Sequence, residues 1–463
     1  MDEGDAGDYL RYAAKFLGEN SEVFPFRSPL YPIVLAFFQF SFGMEALPVV
    51  IPGFQLVLHL FTAIGTKRIF QFTGIEGRGG DLVLFLAYFN LSALYYTPFF
   101  ITESLSAFLF VWSIYTLLRS VKTGDNAGFA LSGLITGLLI LARYNLLPVL
   151  PLFFLFVAGV PFLLNRKELK KGVKPAFVTT ALFGGGVFVI LLGWSFGNIA
   201  VNGSFGLFPG AGVTNKAAGG TGVPWYVGRN ALIATIDSTT KVSSENRPVL
   251  EIFLKSRAKI NAKTAVSSTS WMNLLEEDDK KAVANAFNGY KIYLDATEGL
   301  YTHFGMTEKN EAMLNYELGN FYQEVYSQRV SQVNAIRVIS LAYSFWVSSA
   351  LENRPEKGDI NFNVLPGWMI LLHKLWWFGI MAGFMVFSLV YLWKVGLRNP
   401  GLAEYCSVFM IILVYSLILT NVVFNTINDA SRFKFPVEPL VAGLMVSYLF
   451  PKISRYFPSV STK

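Results

Sequence analysis

Long apolar runs separated by short polar breaks make up most of the chain. Because a helix needs about 20 apolar residues to cross a bilayer, this pattern predicts about nine membrane-spanning helices. The apolar run Pro29–Gly43 is short for a span, and we interpret it as a juxtamembrane or half-embedded helix. The predicted spans cover residues 47–66, 80–97, 100–119, 127–142, 144–164, 176–197, 369–393, 403–424 and 436–451.

Composition narrows the class of protein. Apolar residues make up 53% of the 463 positions and charged residues only 15%, against roughly 25% charged residues in soluble domains. This balance excludes a soluble enzyme and a disordered chain. The single cysteine, Cys406, excludes an intrachain disulfide, and the three histidines are too scattered to suggest a metal site. The sequence therefore predicts an all-α polytopic membrane protein.

The distribution of charge predicts the domain organisation. Charged residues are concentrated between residues 198 and 366, where no apolar run is long enough to span a bilayer. We therefore expect a water-facing domain, of mixed or α structure, set between two membrane blocks. The predicted parts are a first outer loop with juxtamembrane helices (1–46), an N-terminal transmembrane module (47–197), an extracytoplasmic domain (198–365) and C-terminal transmembrane helices (366–463).

Basic residues predict which side of the membrane each loop faces. They cluster after alternate spans, in the gaps that hold Lys67, Arg119, the 166–174 segment and Lys394. By the positive-inside rule these gaps are cytoplasmic. We attribute the net charge of +7 to this loop placement and expect no nucleic-acid partner, because the basic residues form no concentrated face.

The acidic N-terminus is then predicted to lie on the outer face, although no apolar span or signal peptide precedes it. Two explanations remain open: the tail is translocated, or a first helix is missing from this sequence. We favour the second.

Two acidic residues at this predicted outer face are candidates for chemistry. Asp5 opens a predicted short helix, and Glu103 stands at the edge of an apolar helix pair. An ionisable group at membrane depth is a functional candidate, although helix capping is an ordinary alternative for both residues. Asp8 and Tyr9, which follow Asp5 in the same helix, are possible substrate-binding residues.

Four basic residues share the predicted outer face, namely Arg27, Arg143, Arg432 and Lys434. Each alone is also explained as an interfacial anchor. Together with a carboxylate they suit transfer of a sugar from a polyprenyl phosphate, in which cations stabilise the leaving phosphate and the carboxylate takes the acceptor's proton. Tyr144 and Trp225 are possible substrate-binding residues, although aromatic loops near membranes are commonly interfacial anchors.

Five motifs in order resemble those of the GT-C membrane glycosyltransferases, in the branch of protein O-mannosyltransferases and lipid A aminoarabinose transferases. The resemblance implies a GT-C-like helical bundle, with Asp5 as catalytic base, Glu103 as a second acidic residue of the same cavity, and Arg27 on the lipid phosphate. Asp2 and Asp8 remain alternatives to Asp5. The motifs are Asp5-x-x-x-Tyr9, Arg27-Ser-Pro-Leu-Tyr-Pro32, Thr102-Glu-Ser-Leu105, Gly137-Leu-Leu-Ile-Leu-Ala-Arg143 and Arg432-Phe-Lys-Phe-Pro436.

The expected function is transfer of a sugar from a polyprenyl-phosphate donor to a protein, lipid or glycan acceptor. The expected location is the outer face of a prokaryotic cytoplasmic membrane, with membrane lipid as a partner. The alternative is a transporter or flippase of a lipid-linked or anionic substrate. The sequence identifies no cofactor, leaves dependence on a divalent metal open, and does not identify the sugar or the acceptor.

Overall fold

The computed structural model describes residues 5–19, 28–165, 168–202, 205–207, 367–396, 401–424 and 438–453. Within these ranges the chain is all-α and contains no strand. Two 3-10 turns, Met44–Ala46 and Tyr144–Val149, join neighbouring helices. The helices are α1 (Asp5–Phe16), α2 (Leu30–Phe42), α3 (Leu47–Gln71), α4 (Gly77–Tyr88), α5 (Leu91–Tyr96), α6 (Glu103–Thr123), α7 (Asn126–Ala142), α8 (Leu150–Leu164), α9 (Leu169–Asn202), α10 (Gly367–Gly396), α11 (Leu402–Phe424) and α12 (Glu438–Ile453).

Five helical segments in the described ranges are long and apolar enough to cross a membrane, as expected of an integral membrane protein. Apolar segments of α2, α7, α11 and α12 are shorter. Large apolar side chains such as Phe40, Phe188 and Trp393 are exposed, which is normal where lipid replaces water around a helix. The five segments are Met44–Gln71, Glu103–Thr123, Leu146–Leu164, Leu169–Asn202 and Phe378–Gly396.

The chain divides into two compact units, one of residues 1–197 and 341–463 and the other of residues 198–340. In the second unit the described residues are the end of α9 and residues 205–207, where the Asn198 side chain donates to the Gly206 carbonyl at 2.9 Å. The rest of residues 198–365 lies outside the described residues, so the fold of that domain stays a prediction.

The predicted span 80–97 is divided into α4 and α5. Helix α4 ends at Tyr88, and the Asn90 side chain caps α5 by accepting a hydrogen bond from the Ala93 N–H at 3.2 Å. The next helix begins at Glu103, later than the predicted residue 100, because residues 97–102 form a non-helical turn that contains Pro98. Glu103 therefore lies in the first turn of α6.

A tight turn makes α6 and α7 an antiparallel hairpin. Gly124, with φ of 69°, ends α6 in the left-handed conformation that glycine adopts at little cost. Asp125 then caps α7 by accepting a hydrogen bond from the Ala127 N–H at 3.0 Å. The helices have 21 and 17 residues, and at about 1.5 Å per residue their lengths differ by only about 6 Å. The start of α6 and the end of α7 therefore lie at the same end of the bundle.

Basic residues mark the opposite end. Lys67, near the end of α3, donates to Asp81 of α4 at 2.7 Å. Lys122, in the last turn of α6, lies 5.4 Å from the ring centroid of Phe72. The ends of α3 and α6 that carry these cations lie together, away from Glu103.

The C-terminal helices pack on this framework. Helix α12 packs against α3, α4 and α10, and Gly443 lies directly against the ring of Phe70. Helix α11 packs against α8, where Phe409 stacks on Phe156 with 4.0 Å between ring centroids. Phe153 of α8 meets both Phe409 and Phe183 of α9, so the aromatic core joins α8, α9 and α11.

Glycines allow α7 and α9 to approach backbone to backbone. A Cβ atom at Gly133 would overlap the Phe183 carbonyl, and one at Gly186 would overlap the Ala130 carbonyl. Small residues at such crossings are typical of helix packing in membranes. Within the glycine run 184–186, Gly186 therefore serves helix packing, as the position of the run in an apolar span indicates.

Two neighbouring glycines of α9 give a matched test of this crossing. Gly186→Ala is expected to lower the thermal midpoint of unfolding, because overpacking of this kind costs about 1–3 kcal/mol. Gly185→Ala meets open space and is expected to hold or raise the midpoint, since alanine favours a helix. Thermal unfolding of both variants in one detergent measures the difference, and equal midpoints would contradict this packing.

Candidate functional site

A buried ion pair joins the two helix ends that the hairpin brings together. Glu103 Oε1 lies 3.6 Å from Arg143 Nη2. Glu103 is 1% exposed and Arg143 is 8% exposed. A charge buried without a counter-charge is strongly destabilising, so each residue makes the burial of the other tolerable. The structure thus brings together two of the site residues predicted from the sequence.

Two polar residues hold the backbone that leads into Glu103. Gln55, on α3, donates from Nε2 to the Tyr31 hydroxyl at 2.8 Å and to the Phe99 carbonyl at 2.8 Å. The Ile101 backbone N–H donates to the same Phe99 carbonyl at 2.9 Å, and the Tyr31 hydroxyl interacts electrostatically with Glu103. Tyr31 and Gln55 are both fully buried. We call these two residues the Tyr31–Gln55 clamp.

Helix α1 is seated on the same end of the bundle. It packs along α2, and the ring of Tyr9 meets the ring of Tyr31 edge-on, with centroids 5.3 Å apart. Tyr12 is fully buried and stacks on Phe16 at 5.0 Å. Asp5 is the first residue of α1 and lies one turn before Tyr9. The helix that carries the predicted base is therefore fixed beside the residues that hold Glu103.

Tyr144, which follows Arg143, contacts two other segments of the chain through hydrogen bonds. Its backbone N–H donates to Ser28 Oγ at 3.1 Å, and its side chain is hydrogen-bonded to Trp194 of α9. Tyr144 is buried near Tyr12 and acts here as a hydrogen-bonding group.

Asp8 forms a local ion pair with Arg11, three residues later on α1. Its side chain is 17% exposed and that of Arg11 is 38% exposed. Pairs of this kind on one helix contribute little to stability. The arrangement gives Asp8 a partner of its own on α1.

Several predicted site residues lie outside the part of the chain that the structure describes. Arg27, Trp225, Arg432 and Lys434 lie outside the described residues, as does the alternative Asp2. In the part of the chain that the structure describes, no three His, Cys, Asp or Glu side chains gather as a metal site.

The sequence reasoning missed Tyr31 and Gln55 as site residues. A signal for Gln55 was present, since a polar amide inside an apolar span is costly to bury unless it finds hydrogen-bond partners. Tyr31 lies within the Arg27–Pro32 motif, but its contact with Gln55 depends on how α2 packs against α3.

The chain matches no protein-family model, no curated protein and no solved structure at a significant level. The resemblance to GT-C glycosyltransferases therefore rests on the sequence motifs alone and stays a prediction.

Proposed function

We propose that the chain is an integral-membrane glycosyltransferase of the GT-C type, which moves a sugar from a polyprenyl-phosphate donor to an acceptor on the outer face of the membrane. The observation that carries this proposal is the buried pair of Glu103 and Arg143 at the end of an apolar bundle, next to the helix that begins at Asp5. Ionisable groups are costly in such a place and commonly mark a functional site.

Arg143 is assigned to the donor phosphate. A guanidinium binds phosphate through several N–H groups in a fixed fork, which suits a headgroup that must be held in one orientation. Arg27, Arg432 and Lys434 are proposed as further phosphate ligands. The backbone N–H of Tyr144, the neighbour of Arg143, donates to Ser28 Oγ, and Ser28 follows Arg27 in the sequence.

Asp5 is assigned as the catalytic base. The acceptor hydroxyl oxygen attacks the anomeric carbon of the donor, the bond from that carbon to the phosphate oxygen breaks, and the electron pair leaves with the lipid phosphate. Asp5 takes the proton of the hydroxyl, and the cations stabilise the charge that develops on the phosphate. The product has the inverted configuration. The burial of Glu103 favours a role beside Arg143, as the second acidic residue of the cavity.

The proposal includes the finer topology predicted from the sequence. About nine spans form a GT-C-like bundle, residues 198–365 form an extracytoplasmic domain, and the membrane is a prokaryotic cytoplasmic one. The shared end of Lys67 and Lys122 supports this orientation, because basic residues favour the cytoplasmic side. The site then opens on the outer face, where the donor's tail stays in lipid.

Incubation of membranes with polyprenyl phosphates that carry different labelled sugars tests the proposal. Membranes that contain the chain are expected to release polyprenyl phosphate from at least one donor, and membranes without it are not. Equal release from every donor in both membranes would contradict the proposal.

A transporter of a lipid-linked substrate is the second candidate, and one observation favours it. Buried polar residues follow one face of α3 through the depth of the span, from Gln55 through His59 and Thr62 to Thr66. The hydroxyls of Thr62 and Thr66 donate to carbonyls of their own helix, which is the arrangement of packed residues. A transporter would move the labelled lipid across sealed vesicles without separating sugar from phosphate.

A further inference from the structure

We infer that the Tyr31–Gln55 clamp is a positioning device for the site: it fixes the backbone before Glu103 and so sets the place of Arg143. This inference rests on the proposed function for its effect on catalysis. Its structural part, the dependence of Glu103 on the clamp, can be tested without activity.

The Gln55 side-chain amide uses both of its N–H groups in hydrogen bonds. One donates to the Tyr31 hydroxyl and the other to the Phe99 carbonyl. The amide thereby joins α2 to the turn that precedes α6. Both acceptors are fixed elements of the same end of the bundle, so the amide has one orientation.

Burying the Gln55 amide in an apolar span is unfavourable. Gln55 is fully buried in an apolar span, and its Oε1 accepts no hydrogen bond from the residues that the structure describes. A buried polar atom without a partner is destabilising, and an apolar residue at this position would avoid that cost. The stabilising contribution of Gln55 therefore comes from the two hydrogen bonds that it donates.

The turn before α6 determines where Glu103 lies. The clamp holds the Phe99 carbonyl through Gln55, and the Ile101 N–H donates to the same carbonyl. Glu103 follows two residues after Ile101. Movement of this turn moves the first residue of α6, and with it the carboxylate 3.6 Å from Arg143. A displacement of about 1 Å at a reacting group can cost about a hundredfold in rate, so a clamp two residues away is close enough to matter.

The clamp is tested first through activity. Gln55→Leu and Tyr31→Phe are expected to raise the donor KM and lower kcat, with kcat/KM reduced about tenfold to a hundredfold. A variant that only reduced the amount of folded protein would lower the apparent kcat and leave the donor KM unchanged.

Thr62→Val is the control for α3, because within the described part of the chain the Thr62 hydroxyl donates to the Leu58 carbonyl of its own helix. Tyr415→Phe also removes a phenol hydroxyl with a side-chain partner, Ser388, and both controls are expected to keep wild-type kinetics. An unchanged donor KM in both clamp variants would overturn the inference.

A stability cycle separates the inference from the proposed function. Tyr31→Phe is made in the wild-type chain and in the Glu103→Gln variant, and the thermal midpoint is measured for all four proteins. If Tyr31 acts on Glu103, its removal shifts the midpoint less in the variant than in the wild type. Equal shifts of the thermal midpoint in the two backgrounds would contradict the inferred role of the clamp, whether or not the chain transfers sugar. If the midpoint shifts differ but the wild-type chain transfers no sugar, the proposed function is wrong and the role of the clamp still stands.

Discussion

Arg143→Met is expected to lower the free energy of unfolding by about 3–5 kcal/mol, because it removes the guanidinium that lies 3.6 Å from the buried Glu103 carboxylate. Glu103→Gln is expected to be similarly destabilising, since the buried Arg143 guanidinium then loses the negative charge beside it. The double variant is expected to recover most of the loss, because neither charge remains. Denaturant or thermal unfolding of the three variants in detergent measures this pattern.

An exposed ion pair of the same chain provides the control. Lys171 lies 2.8 Å from Glu168, and both side chains are more than half exposed, at 68% and 61%. Lys171→Met is therefore expected to change stability by less than about 1 kcal/mol. If the losses at Glu103 and Arg143 simply added in the double variant, the two residues would not be coupled and the ion pair would be contradicted. The recovered double variant should still fail to transfer sugar, since its phosphate ligand is gone.

Asp5→Asn is expected to reduce kcat by about a hundredfold to ten-thousandfold, which is the usual contribution of a general base. Asparagine has nearly the same size and keeps a hydrogen-bonding side chain, but it cannot take the acceptor's proton. Donor binding should therefore change little. Initial rates at saturating donor, together with the donor KM, measure both effects.

A second carboxylate-to-amide change controls for Asp5→Asn. Asp125 caps α7 at the opposite end of the hairpin, and asparagine caps a helix as well as aspartate does. Asp125→Asn should thus keep the wild-type rate. Full activity in Asp5→Asn would remove Asp5 from the mechanism, and a large loss in Asp8→Asn instead would assign the base to Asp8.

The helices were largely predictable because the apolar runs are long. Helix α3 begins at Leu47, as predicted, and α1 and α2 occupy the short helices expected at Asp5 and Pro29–Gly43. The break at Asn90 was missed because hydropathy averages over one capping residue, although asparagine before a helix is a recognised start signal. The late start of α6 follows from the turn around Pro98, which hydropathy also hides.

The sequence predicts Glu103 and Arg143 as candidate residues on one side of the membrane but does not predict their contact. The hairpin geometry brings the two residues to one end of the bundle. Their separation of 3.6 Å depends on the rotation of α6 and α7 about their axes, which packing decides. The same is true of Tyr31 and Gln55, whose contact spans α2 and α3.

The fate of a doubly labelled donor in sealed proteoliposomes tests the central claim most directly. The donor carries one label on the sugar and another on the polyprenyl phosphate, and a membrane extract supplies the acceptors. Glycosyl transfer predicts that the two labels separate, that the sugar label enters a new product, and that the Glu103→Gln/Arg143→Met variant shows no separation. Labels that stay together while the lipid crosses the membrane, or no change relative to empty liposomes, would contradict the account.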